Sequence, residues 1–321
     1  MAILKKVFLV SLTFLLISCS KKAITDKRKI AVVMPKNGYE EVLNGFKMAI
    51  YQKGMHDKID LIIHNSGVTK DDFIAISKVI SNSDVDVILT VTTPVTLSVY
   101  EHVKDKPIVF AAVGDPISAG LALDLKKPKK NITGVTNLNR QLTKKRMELF
   151  KNAFPFMKKI ITFYNPKNLF SLLAVKDLSE ISEELNIMLE KVECLSIDDI
   201  VATLKNIKKG SYDGIFVIPD PVVLSAFTYI INISNEFSIP VCVHEESYIS
   251  KGATISYGID LNEVGKLSFT LVELILKGSL PEKLPIHVPE KISLAINYRW
   301  AKEKGYKVSN ELLYLADRVV E

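Results

Sequence analysis

In this chain, four short segments set a small polar residue against proline directly after an apolar run. Val91-Thr92-Thr93-Pro94 and Val113-Gly114-Asp115-Pro116 lie in the first half, Tyr164-Asn165-Pro166 and Ile218-Pro219-Asp220-Pro221 in the second. Proline is preorganised for the first turn of a helix, and Thr, Asp or Asn before it is a natural N-cap. Each residue taken alone therefore has a simple structural use, capping its own helix. The set has a second use. Helix N-termini carry free N–H groups and a partial positive charge, which suit a carboxylate. Thr92, Thr93 and Thr96 add hydroxyls at one such terminus, and Asp115 and Asp220, at matching places in the two halves, suit an ammonium group. Tyr39, after the first apolar run, and Phe170, after Asn165-Pro166, can sandwich an apolar side chain. Glu245 follows a later apolar run and can face the same crevice. The expected binding set is Tyr39, Thr92, Thr93, Thr96, Asp115, Asn165, Phe170, Asp220 and Glu245, and the expected ligand is a zwitterion such as an amino acid.

Signatures of catalysis are missing from the sequence. It holds no Gly-x-Ser-x-Gly elbow, Walker loop, Gly-x-Gly-x-x-Gly turn or His-Glu-x-x-His pair. His56, His64, His102, His244 and His287 are scattered without metal-ligand spacing. A hydrolase built on Asp115 or Glu245 would lack a nucleophile motif. No cofactor, metal or enzymatic activity is expected.

The elements that must position the polar residues alternate. Apolar strands are expected at Lys29–Met34, Ile59–His64, Val87–Val91, Ile108–Val113 and Asn131–Thr136, then at Ile160–Asn165, Met188–Leu195, Gly214–Pro219, Val241–His244, Thr254–Ile259 and Ile292–Asn297. Between them, apolar positions at helical spacing predict helices that include Tyr39–Lys53, Asp71–Ser81, Gln141–Ala153, Ala174–Leu185, Val222–Phe237, Leu261–Lys277 and Tyr298–Lys304. Such alternation reads as α/β with parallel sheets. Two halves of similar length predict two doubly wound lobes, 29–136 with 260–285 and 137–259 with 286–321. Three crossings would join them, at Asn131–Leu138, Gly258–Leu261 and Pro285–Ile292. In open sheets of this kind the ligand crevice lies outside the carboxyl ends of the strands.

The N-terminus reads as an address. Lys5 and Lys6 precede an uncharged apolar stretch, Val7 to Ile17, too short to cross a bilayer as a helix. It ends in Leu16-Ile17-Ser18-Cys19, a pattern that resembles the lipobox, where the cysteine receives lipid and becomes the mature N-terminus. Residues 1–18 are therefore expected to be a lipoprotein signal peptide, 19–28 a polar tether, and Cys19 the lipid anchor holding the body to a membrane outside the cytoplasm. Hydrophobic residues make up 48% and charged residues 24%, values that suit a globular body. The net charge of +6 is spread along the chain; its densest run, Lys126-Lys127-Pro128-Lys129-Lys130, reads as a solvated loop and no nucleic acid partner is expected. Cys194 and Cys242 fall in strands of one sheet several strands apart, too far for a disulfide, and are expected as buried free thiols.

Specific residues then point to a family. Lys106 to Gly120, continuing through Asn131-Ile132-Thr133-Gly134-Val135, closely resembles the tryptophan/tyrosine-type substrate-binding proteins of ABC importers. Ile239-Pro240-Val241, Glu245-Glu246-Ser247, Lys251-Gly252-Ala253, Tyr257-Gly258-Ile259-Asp260 and Pro289-Glu290-Lys291 extend the likeness over nearly all of residues 30–308. The resemblance implies a periplasmic-binding-protein type I fold, closure of two lobes on a small ligand, and delivery to a permease and a cytoplasmic ATPase by a monomer. It favours Thr93, Thr96, Asp115 and Asp220 as cleft residues. The chain departs from the family pattern at Lys167-Asn168-Leu169-Phe170-Ser171, at Asp220-Pro221 and at Pro35-Lys36-Asn37-Gly38-Tyr39, places that bear on which ligand is bound. A ligand-binding sensory lipoprotein signalling to a receptor or kinase is the alternative that the same fold would serve.

Overall fold

The computed structural model describes residues 27–35, 39–67 and 69–321; Cys19 and the signal segment lie outside them. The chain first builds β1 (Arg28–Pro35), α1 (Glu40–Gln52), β2 (Ile59–Ser66), α2 (Lys70–Ser81), β3 (Val87–Val91), α3 (Thr93–His102) and β4 (Ile108–Val113). A two-stranded hairpin of β5 (Ala122–Asp124) and β6 (Lys127–Pro128) precedes β7 (Ile132–Thr136). The large strands form one parallel sheet in the order β2-β1-β3-β4-β7. Every residue of β3 and β4 is buried, as their unbroken apolar runs require of strands covered by helices on both faces. Alternate side chains feed opposite layers: Val32 and Leu89 go to one, Val33 and Ile88 to the other.

A second lobe repeats the plan. Its elements are α4 (Thr143–Ala153), β8 (Lys159–Tyr164), α5 (Leu169–Glu184), β9 (Met188–Glu193), α6 (Ile197–Lys205), β10 (Gly214–Phe216), α7 (Pro221–Ser225), α8 (Phe227–Phe237), β11 (Val241–Val243) and β12 (Ile255–Ile259). The chain then crosses back as α9 (Leu261–Leu276), which packs on α1. It returns to the second sheet as β13 (Ile292–Asn297), α10 (Tyr298–Glu303), α11 (Asn310–Leu315) and β14 (Arg318–Val320). That sheet runs β9-β8-β10-β11-β12-β13-β14, with β13 antiparallel to β12 and β14 parallel to β13, so that the last two strands run opposite to the other five. The first five strands of each lobe share one winding order, second-first-third-fourth-fifth. The expected architecture, two doubly wound α/β lobes joined by three crossings, is the one observed.

Several boundaries differ from expectation. Helix Val222–Phe237 is broken at Ala226, so that α7 and α8 are separate. Helix α5 begins five residues before Ala174, because Asn168 rather than Asn165 accepts the N-terminal amide of Phe170. Strand β9 ends one residue short of Cys194. The basic run was expected as a loop, yet Lys127–Pro128 pairs with Ala122–Asp124. Helix α6 was not expected, although Ser196 and Asp199 carry its capping box in the sequence. Cys194 and Cys242 are both buried and free.

Helices α1 and α9 approach closely enough that only glycine fits at their crossing. A Cβ on Gly265 would stand 2.0 Å from the Val42 carbonyl oxygen, and one on Gly45 would stand 1.9 Å from that of Asn262. Beside the crossing, Phe46 and Phe269 meet edge to face at 5.3 Å. Alanine is the better helix former by about 1 kcal/mol, but here backbone atoms, which cannot step aside, oppose it. Gly265→Ala is therefore expected to destabilise the protein by about 1–3 kcal/mol in urea unfolding; an unchanged or raised midpoint would contradict this close packing.

Candidate functional site

The two sheets turn their switch points, β1/β3 and β8/β10, towards one another, and a cavity of about 380 Å3 lies between them. The first lobe lines it with Pro35, Tyr39, Phe73, Thr92, Thr93, Ala112, Gly114 and Asp115. The second supplies Asn168, Phe170, Pro221, Leu224, Phe227, Tyr248 and Lys251 among others, and the first crossing and the residues just after it add Asn137, Asn139 and Arg140.

The wall at β3 and β4 is held in unusual backbone. Thr92, which ends β3, has φ 78°, and Ala112 in β4 has φ 56° at a register shift against β7. Leu138, beside Asn137, has φ 49°. Such conformations are costly for side chains with a Cβ, most of all a β-branched one, and they concentrate where a ligand is held. Thr96 sustains the first of them. Its hydroxyl donates to the Thr92 carbonyl at 2.7 Å and meets Thr90 Oγ1 at 2.9 Å, and its side chain is fully buried. Thr93 Oγ1 accepts from Gly114 N at 3.4 Å, which joins the α3 terminus to the turn after β4.

Asp115 begins no helix. Its carboxylate closes a turn instead, accepting the Ser118 amide at 2.9 Å and the Ser118 hydroxyl at 2.6 Å, together with Arg140 Nη1 at 3.1 Å. Burial pushes its pKa up, but the Ser118 bonds and the Arg140 charge outweigh burial and hold it below the usual carboxylate value. Asp115 is thus an anion on the cavity wall. Next to it, Asn137 Oδ1 is buried without any hydrogen-bond partner. A buried acceptor left unpaired costs about 1–3 kcal/mol, so this atom is suited to a donor arriving in the cavity.

Other expected residues stand behind the wall. Asp220 caps α7, accepting Val222 N at 2.9 Å and Val223 N at 3.3 Å, and receives Asn168 Nδ2 at 3.0 Å. It is fully buried, burial raises its pKa, and Asn168 stands in its place on the cavity. Asn165 accepts Lys167 N at 2.9 Å in a turn and does not line the cavity. The structure therefore gathers Tyr39, Thr92, Thr93, Asp115 and Phe170 around one space and sets Thr96, Asn165 and Asp220 beneath its turns. Sequence reading missed Phe73, Asn137, Asn139, Arg140, Phe227 and Tyr248. Asn137 sits in the expected first crossing, and Asn139 and Arg140 follow it directly; the polar run Asn137–Gln141, broken only by Leu138, was the available signal.

Glu245 lies elsewhere. It borders a separate cavity of about 470 Å3 with Glu41, Glu246, Asp260 and Arg318, and it accepts the Ser247 hydroxyl. Burial, opposed by Ser247 and reinforced by the charge of Glu41, raises its pKa to about 8 from an ordinary 4.5. A carboxyl whose folded pKa is raised favours folding fully below its unfolded pKa, and that contribution is lost as pH rises through the folded value. Relative to Glu245→Gln, the wild type should therefore lose stability between pH 4.5 and 8, read by urea unfolding at intervals across that window. A difference that does not change with pH would contradict a buried, protonated Glu245.

Among the described residues, no group of three or more His, Cys, Asp or Glu side chains is arranged to hold a metal, and no helix is long and apolar enough to cross a membrane. The family model described as ABC transporter substrate binding protein matches residues 27–320. A tyrosine-binding protein of Clostridioides difficile (strain R20291) is 27% identical over 285 residues, covering 87% of this chain and 81% of that protein. A Streptococcus pneumonia ABC domain in complex with L-Trp has a TM-score of 0.84 at 24% identity, over 92% of this chain and 100% of that one. The ligand-free, open structure of a Clostridium difficile substrate-binding protein with adhesive properties has a TM-score of 0.68, also at 24% identity, over 92% and 99%. With its two matching lobes and a cavity between their switch points, the chain belongs to the ABC transporter substrate-binding protein family, whose members bind solutes and are not enzymes.

Proposed function

We propose that the protein captures an amino acid with an aromatic or large apolar side chain, from a position tethered outside the cytoplasm by lipid on Cys19. The observation that carries this reading is one interlobe cavity lined both by polar groups at strand ends and by aromatic rings from the two lobes. The α3 terminus with Thr92 and Thr93 receives the α-carboxylate, while Asp115 and the orphan Asn137 Oδ1 receive the ammonium group. Tyr39 and Phe170 flank the side chain, with Phe73 and Phe227 in the same cavity lining. Thr96, Asn165 and Asp220 act one step back, holding the turns that carry these groups. Glu245 stays outside the ligand's contacts.

Capture works through closure. The lobes, proposed as 29–136 with 260–285 and 137–259 with 286–321, contribute opposite walls, so a ligand touching both favours the closed form by its differential affinity for that form. A permease and its ATPase then take the ligand from the closed receptor, and the anchor keeps receptor and permease at high effective concentration. The tyrosine-binding relative and the L-Trp complex support an aromatic amino acid.

Thermal-shift screening of residues 20–321 against the common amino acids tests the ligand class. L-Tyrosine or L-tryptophan is expected to raise the midpoint, and a concentration of 100 times Kd should stabilise the protein by about 2.7 kcal/mol. If no amino acid shifts the midpoint, this assignment fails. Asp115→Asn should weaken binding of the stabilising amino acid by about tenfold or more, the scale of one charged hydrogen bond. Equal affinity in titration calorimetry would remove Asp115 from the contacts.

A further inference from the structure

One guanidinium in the cavity wall is held by two carboxylates from opposite lobes. Arg140 lies just past the first crossing, between Leu138 and Leu142, which pack on the first lobe's core. Its Nη1 reaches Asp115 at 3.1 Å, in the turn after β4 of the first lobe. Its Nε and Nη2 reach the two oxygens of Asp177, on α5 of the second lobe, at 2.8 and 3.4 Å. Two parallel bonds to one carboxylate fix the plane of the guanidinium, and that plane fixes where Nη1 can point. The side chains of Asp115 and Asp177 are 7% and 15% exposed, so this network is far less screened than a surface pair.

We propose that Arg140 is a positioning residue that couples closure to ligand capture, completing, only while Asp177 on the other lobe fixes its guanidinium, the hold on Asp115 that Ser118 begins. The proposal rests on the reading of Asp115 as a ligand contact, but the bridge itself needs no ligand. Separation of the lobes takes α5 and Asp177 away from the turn after β4. The guanidinium then loses one carboxylate, and its bond to Asp115 loses the geometry that the second lobe had set. Asp177 does not line the cavity, so changing it alters the coupling and leaves the ligand's contacts in place.

Asp177→Asn keeps the side chain's shape and removes its charge. In ligand-free protein, paramagnetic relaxation from a nitroxide on one lobe to amides of the other reports the closed population. That population is expected to fall about threefold or more in the variant, with thermal stability nearly unchanged. With L-tyrosine as probe, the dissociation rate should rise about tenfold while the association rate stays within about twofold. Arg140→Lys, with charge but no planar fork, should fall between wild type and Asp177→Asn. Equal closed populations in wild type and variant, including none in either, would overturn the coupling, as would equal dissociation rates. If L-tyrosine binds neither protein, the ligand assignment fails and the relaxation measurement still decides the bridge.

Discussion

A parallel strand that passes into a helix leaves its last carbonyls and the helix's first amides without regular partners, and these unsatisfied groups govern the rest of this molecule. Each lobe repeats that junction at its switch point, where neighbouring connections leave in opposite directions and open a crevice. After β3 the Thr92 carbonyl accepts both the amide and the hydroxyl of Thr96, and at α7 the carboxylate of Asp220 fills the gap on two amides. Only the second is a side-chain cap, and both are bonds of ordinary length. Two such edges facing each other turn local capping needs into a polar cavity.

The strained residues show how firmly that cavity is held. Thr92, Ala112 and Leu138 adopt positive φ within a short distance of the wall, each restrained by neighbours on buried strands. Thr92 N bonds the Ala111 carbonyl, and the Thr136 hydroxyl bonds that of Val113, so β3, β4 and β7 are tied together where the backbone departs from regular form. Rigid lobes are what a closing receptor needs, because motion then concentrates in the three crossings. The third crossing runs beside the first through backbone bonds between His287 and residues Gly134 and Thr136. Beneath the cavity, Arg146 is fully buried and spans from Asn139 to the Tyr257 carbonyl, linking the residues just after the first crossing to the middle of β12. Burial lowers its pKa to about 10, which leaves the guanidinium charged at neutral pH.

Much of the fold was legible because its signals are local. Continuous apolar runs marked the buried strands, and helical spacing marked α1, α2, α4, α9 and α10. Boundaries slipped where two local signals compete. Asn165 and Asn168 both precede helical sequence, and only the meeting of Asn168 with Asp220, 52 residues away, selects the second as the cap. The basic run at Lys126–Lys130 has loop composition, yet a backbone bond from Ile286 to Leu125 helps hold the hairpin against a segment far along the chain.

The binding site divides in the same way. Sequence alone determined the chemistry at the strand ends, since Thr92, Thr93, Asp115 and Asp220 follow directly from strand, turn and cap patterns within a few residues. It also determined the alternation that makes two wound lobes. Only the tertiary structure decided which of those groups face the ligand space: Asp220 is turned inward by its own helix, Glu245 borders a different cavity, and Asn137, Arg140 and Phe227 complete the wall. Capping is a short-range property that a few neighbouring residues settle, whereas the orientation of a side chain towards an interlobe space depends on how two separately wound sheets are set against each other.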